Sequence, residues 1–131
     1  MGREQGEMRV LVVSDDAELG GLIALNLRQR GFAVEHADLI QAQSSHWAPS
    51  LGVPDLLIID LENPERVSST HLRRLGRQPW AGSIPLLLAS EKGATVTCFL
   101  DRAPDLVLSR PADVADIVAA SRSLLEHAVA R

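Results

Sequence analysis

Four short groups in this 131-residue chain hold residue types that do chemistry. Ser14, Asp15 and Asp16 follow one apolar run, and Asp60 ends the run Leu56-Leu57-Ile58-Ile59. Ser90 follows Leu86-Leu87-Leu88-Ala89, and Ser109-Arg110-Pro111 follows Leu106-Val107-Leu108. Carboxylates, a hydroxyl and a cation make up the set that an aspartyl phosphate with a divalent metal requires. A hard cation such as Mg²⁺ takes oxygen from one or two carboxylates and fills its other positions with water and phosphoryl oxygens. A hydroxyl can donate to one phosphoryl oxygen and a cation can neutralise another. A carboxylate can itself be the nucleophile that forms an acyl phosphate. Each residue taken singly also has a plain reading: Asp60 as a loop cap, Asp15 as a turn residue, Asp16 as a helix N-cap, and Ser90 as an ordinary strand-end serine.

The elements around these groups decide whether they meet. Residues 9–13 and 56–59 are apolar runs of strand length, and 84–89 and 105–108 read the same way. Residues 32–36 alternate and suggest an edge strand. Between them lie helical patterns. Leu19, Leu22, Ile23 and Leu27 recur at helical spacing, with Asp16 as N-cap and Gly31 as the stop. Gly20 and Gly21 inside that helix each cost about 1 kcal/mol relative to alanine, which suggests a closely approaching neighbour or weak selection. Residues 39–47 predict a second helix and 69–77 a third, with Leu72 and Leu75 inward and Arg73, Arg74 and Arg77 outward. Residues 94–101 form the weakest pattern because Thr95, Val96 and Thr97 lower helix propensity. From Asp113 onward a final amphipathic helix is predicted, with Asp113 as N-cap and Asp116 beside the positive helix end. Five β-then-α units with short connections imply an α/β fold: a doubly wound, five-stranded parallel sheet of flavodoxin-like order 2-1-3-4-5. In such a sheet the carboxyl ends of the strands lie along one edge, so the four groups converge there.

Bulk properties exclude several classes. A hydrophobic content of 46% with 23% charged residues fits one ordinary globular domain. The net charge of −4 argues against a nucleic-acid surface, and the arginines at 73, 74 and 77 read as a solvated helix face. The lone Cys98 rules out an internal disulfide, fits a reducing, cytoplasmic setting, and reads as a small packing residue. No apolar run reaches the ~20 residues that span a bilayer. His36, His46, His71 and His127 show no metal spacing and read as surface residues. Trp47 and Trp80 are expected to cover the ends of the sheet. Residues 1–7 are expected to be a flexible lead-in to one domain over 8–131. No glycine-rich phosphate loop follows the first strand, which argues against a nucleotide-binding enzyme.

With these residues in place, the chain resembles the response-regulator receiver domains of two-component signalling, from Met8 to about Ala130. Asp60 with Pro64 matches the family's phospho-acceptor and its loop proline, Ser90 matches the family's Thr/Ser, and Ser109-Arg110-Pro111 matches its Lys-Pro segment. The resemblance implies phosphotransfer from a sensor histidine kinase or a phosphotransfer protein to Asp60. It implies Mg²⁺ held by Asp15, Asp60 and the backbone carbonyl of Glu62, with Ser90 and Arg110 on the phosphoryl oxygens. It implies a signalling domain rather than an enzyme, with no membrane or direct nucleic-acid contact. It also implies a partner or homodimer surface across the fourth helix, fifth strand and fifth helix, here Cys98 to Leu125.

Three departures from the family pattern leave a second reading open. Ser14 stands at the first of the two acidic positions and Asp15 at the second; Asp16 substitutes only by a one-residue slip that competes with its capping role. Arg110 replaces lysine, exchanging a compact ammonium for a planar fork. It serves either as the phosphate's cation or as a standing salt-bridge partner of Asp60. Val107 occupies the position of the switch aromatic. The alternative is a pseudo-receiver, an interaction module that works without phosphorylation.

Overall fold

The computed structural model of the chain describes residues 7–109 and 113–130. Arg110 and Pro111, to which the sequence assigns the cation and its proline, lie outside the described residues. The chain alternates strictly: β1 (Arg9–Ser14), α1 (Ala17–Arg28), β2 (Ala33–Asp38), α2 (Leu39–Ala42), β3 (Leu56–Leu61), α3 (Ser69–Gly76), β4 (Leu86–Ser90), α4 (Gly93–Leu100), β5 (Leu106–Leu108) and α5 (Val114–Ala130). All neighbouring strands are parallel and the order is β2-β1-β3-β4-β5, the doubly wound order expected.

The strand pattern explains the two layers. Leu57, Ile59 and Leu61 of β3 face the side covered by Leu39 and Ala42 of α2, Leu72 and Leu75 of α3, and Val96 and Leu100 of α4. Leu56 and Ile58 face the opposite side with Ile23, Ala24 and Leu27 of α1 and Ile117, Val118 and Leu125 of α5. A strand covered on both faces needs apolar residues at every position, which is why β3 reads as an unbroken run. Two aspartates staple the opposite edge of the sheet. Asp55 Oδ2 accepts from Arg9 N at 2.7 Å, and Asp105 Oδ2 accepts from Leu86 N at 2.8 Å.

Several local expectations shift. The second helix, expected over 39–47, stops at Ala42. The Gln78 amide donates to the carbonyls of Ala42 and Ser44, both at 2.7 Å, taking acceptors that a longer helix would use itself. The chain then carries Trp47 onto Trp80, edge to face with ring centroids 5.5 Å apart. β2 runs two residues further than its alternating stretch, to Asp38, because its backbone stays paired with β1 as far as Ser14. Leu22 points outward at 49% exposure; the buried stripe of α1 runs through Gly20, Ile23, Ala24 and Leu27 instead. Cys98 is exposed rather than packed. The start of α5 is capped reciprocally. Asp113 Oδ1 accepts from Asp116 N at 3.0 Å, and Asp116 Oδ2 accepts from Asp113 N at 3.2 Å. That is the capping-box arrangement with aspartate in place of glutamate.

Candidate functional site at the strand ends

Strand register builds the site. Ser14 of β1 is the lateral neighbour of Asp60 in β3, Asp60 is the neighbour of Ala89 in β4, and Ser90 is the neighbour of Leu61. Asp60 is therefore an integral strand residue rather than the first residue of a loop, and it is 0% exposed. Alternation along the strands puts Ser14 and Asp60 on the α1–α5 side, two residues beyond Val12 and Ile58. Ser90, two residues beyond Leu88, lies on the other side, 1% exposed. Its hydroxyl oxygen accepts from Lys92 N at 3.2 Å, which leaves the hydroxyl proton available to an acceptor.

Asp15 stands where β1 ends, and its amide donates to Asp60 O at 3.3 Å. Its carboxylate reaches across to the turn after β3: Oδ1 accepts from Glu62 N at 2.7 Å and Oδ2 from Asn63 N at 2.8 Å. Asp15 is thus the clamp between the two loops that flank Asp60. Asp16 is the N-cap of α1, its Oδ1 accepting from Leu19 N at 3.0 Å, as expected. The Glu62 carboxyl is held above its ordinary range by burial first, and then by the charges of Asp15, Asp16 and Glu91. That crowding of negative charge marks the edge as a place for a cation.

The donor set fits a divalent ion of the Mg²⁺ kind. Among the described residues no three His, Cys, Asp or Glu side chains converge to hold a metal on their own. Mg²⁺ does not need that, because it is held by one or two carboxylates and keeps several waters. Each Asp15 oxygen has a second lone pair beyond the backbone bond it accepts. The carboxylates of Asp15 and Asp60 and the carbonyl of Glu62 are the groups that would hold the ion.

Sequence reasoning missed one part of this edge. His36 of β2 is half-buried rather than a surface histidine, and its Nε2 lies 2.8 Å from Ser14 Oγ. The Ser14 hydroxyl also donates to Asp16 O at 2.9 Å. A methyl group built at Gly20 would lie 2.3 Å from both His36 Nε2 and Ser14 Oγ, whereas one built at Gly21 would meet nothing within 4 Å. The glycine pair in the sequence was the available signal, and only Gly20 answers to a close approach.

On the far side of Ser90, Val107 is 40% exposed and its Cγ1 lies 2.7 Å from where a Cβ would stand on Gly93. Leu106 next to it in β5 and Phe99 of α4 are also exposed, at 36% each. The exposed apolar residues of α4 and β5 lie within the surface the sequence assigned to a partner.

A doubly wound sheet with acids and a buried hydroxyl at its carboxyl edge defines a receiver-type fold. Solved structures agree. The signal receiver domain of a signal transduction histidine kinase from Syntrophus aciditrophicus superposes with a TM-score of 0.67 at 24% identity, covering 92% of this chain and 91% of that one. The receiver domain of the sensor histidine kinase PA1611 from Pseudomonas aeruginosa PAO1, described with a magnesium ion coordinated in its active site cleft, superposes with a TM-score of 0.65 at 18% identity, covering 92% of this chain and 98% of that one. No protein-family model matches the chain. Among curated proteins it is 32% identical over 125 residues to the response regulator protein PmrA of Pseudomonas aeruginosa, covering 95% of this chain and 55% of that protein. It is 30% identical over 128 residues to the alkaline phosphatase synthesis transcriptional regulatory protein SphR of Synechococcus elongatus, covering 91% of this chain and 49% of that protein. The chain therefore spans about half the length of the curated relatives it matches. Its likeness to response regulators over more than nine-tenths of its own length, together with the fold it shares with solved receiver domains, supports a response-regulator receiver domain. Among the described residues no helix is long and apolar enough to cross a membrane.

Proposed function

We propose that this chain is a phosphorylatable receiver that accepts a phosphoryl group on Asp60 from a sensor histidine kinase or a phosphotransfer protein. The observation that carries the reading is the register, which sets Asp60 between Ser14–Asp15 and Ala89–Ser90 at one edge. An Asp60 oxygen attacks the phosphorus in line, and the P–N bond of the donor phosphohistidine breaks as the new O–P bond forms. Mg²⁺, when bound, supplies charge neutralisation for the phosphoryl oxygens. Ser90 donates its hydroxyl proton to one of those oxygens, and Arg110 is the cation assigned to another. The domain signals and does not turn over a substrate, and it works in the cytoplasm. Its output leaves through α4, β5 and α5, where the exposed Phe99, Leu106 and Val107 suit a partner or a second copy.

The test is incubation with acetyl phosphate or beryllofluoride, with and without Mg²⁺, read by intact mass and by calorimetric binding. A Mg²⁺-dependent adduct that disappears in Asp60→Ala is the expected result; no adduct at saturating donor overturns the reading.

Two observations favour a second reading, the phosphorylation-independent pseudo-receiver. Asp60 is fully buried, and both Asp15 oxygens are engaged by backbone amides. Under that reading Arg110 neutralises Asp60 permanently, and Asp60→Asn leaves partner binding unchanged.

A further inference from the structure

Ser14 occupies the position at which the resemblance expects an acid, yet this residue is not idle. Its hydroxyl has one proton, and the Asp16 carbonyl, 2.9 Å away, can only accept. With that proton given to Asp16 O, Ser14 Oγ accepts from its other neighbour, His36 Nε2, at 2.8 Å. This assigns the Nε2–H form to His36. The chain of bonds runs from β2 across β1 into the turn that begins α1. Asp16 O also accepts from Gly20 N at 2.9 Å, so the same carbonyl ties the turn to the first helical bond. Gly20 is the accommodation for the pair, since any Cβ there would stand 2.3 Å from both polar atoms. A glycine inside a helix costs about 1 kcal/mol, and the chain carries that cost at the one helical position where the His36–Ser14 contact requires it.

We propose that His36 is a positioning residue for the receiver site, acting through the Ser14 hydroxyl and the Asp16 carbonyl to hold the turn from which Asp15 reaches Glu62 and Asn63. The histidine–serine pair takes over the anchoring of this turn at the position of the missing acid. Asp15 then reaches its two backbone partners at 2.7 and 2.8 Å from a turn that is fixed on both sides. The charged groups acting on the ring are Arg28 from α1 and Asp38 from its own strand, while β1 presents only the neutral Ser14. Burial and Arg28 hold the imidazole below its ordinary value, which keeps it neutral at pH 7 and consistent with the single Nε2–H donor.

The metal readout of this inference rests on the receiver reading, and the exchange readout does not. The variants are His36→Gln, which returns an amide N–H near the position of Nε2, His36→Leu, which removes it, and Ser14→Ala. Two quantities are measured on each: Mg²⁺ affinity by isothermal titration calorimetry, and hydrogen exchange of the Asp15, Asp16 and Gly20 amides without metal. His36→Leu and Ser14→Ala are expected to speed exchange at these amides and to weaken Mg²⁺ binding about ten-fold, in the range found for residues that orient metal ligands. His36→Gln is expected to restore both, and Ser14→Ala is expected to add nothing further to His36→Leu. Unchanged exchange in His36→Leu, or loss in His36→Gln equal to that in His36→Leu, overturns the positioning role. If the wild-type chain binds no Mg²⁺, the receiver reading fails while the exchange results still decide the role of His36.

Discussion

Replacing Asp15 separates its clamp, seen in the fold, from the metal role proposed for it. In the folded chain its carboxylate accepts two backbone N–H bonds from the turn after β3, at 2.7 and 2.8 Å, in a half-buried setting. Hydrogen bonds to a charged group contribute about 1.5–3 kcal/mol each, and a partly buried donor left without an acceptor loses much of that. Discounting for water reaching the turn, Asp15→Ala is expected to cost about 2–4 kcal/mol. Asp15→Asn keeps one acceptor oxygen but turns an N–H₂ group toward the second amide, for about 1–3 kcal/mol. For a domain of this size each kcal/mol lowers Tm by roughly 3–5 °C. The assay is urea unfolding in EDTA, so that no metal contributes, with the m-value checked for constancy. An alanine variant as stable as wild type in EDTA would refute the clamp, and would leave Asp15 with a metal role only.

Gly76→Ala is expected to destabilise, because the new Cβ would stand 1.9 Å from the Leu100 carbonyl oxygen, and α3 and α4 would have to separate. Overpacking of this kind costs about 1–3 kcal/mol, read as a lower urea midpoint. Gly21→Ala, with open space around the new methyl, is expected to raise stability by about 0.4–1 kcal/mol. Stability is expected to fall as the pH drops below the ordinary histidine value of 6.5, because the folded chain holds His36 below that value. The unfolded chain then binds the proton first, so the contribution is complete above pH 6.5 and is lost on descending toward the folded value. His36→Gln should flatten that part of a Tm-against-pH curve. Leu72→Ala, in the core beneath α3, should cost about 2–5 kcal/mol in thermal unfolding.

The fold was legible because its signals are local and repeated. Apolar runs at 56–59 and 84–89 are of strand length and read as strands covered on both faces, and chain order then implies a parallel sheet with Asp60 and Ser90 at one edge. Capping followed from residue type: Asp16 and Asp113 do at their helix starts what aspartate does at helix starts generally. The sequence could not show what depended on distant neighbours. Where helix α2 stops early, Gln78, thirty-odd residues away, donates to Ala42 O at its end and to Ser44 O just beyond it. Leu22 faces solvent because α5 and the sheet cover only one stripe of α1.

At the site, residue types and strand order were enough to bring Ser14, Asp15, Asp60 and Ser90 together. They did not reveal that Asp15 spends both oxygens on the turn after β3, or that His36 is bonded to Ser14. Both facts depend on which backbone groups a folded turn leaves facing a side chain, and on which residues two adjacent strands set side by side. Composition and periodicity carry no record of either. Gly20 was visible from the start as a helix-weakening residue, but only the packed sheet supplied the pair of polar atoms that occupies the space its missing side chain leaves.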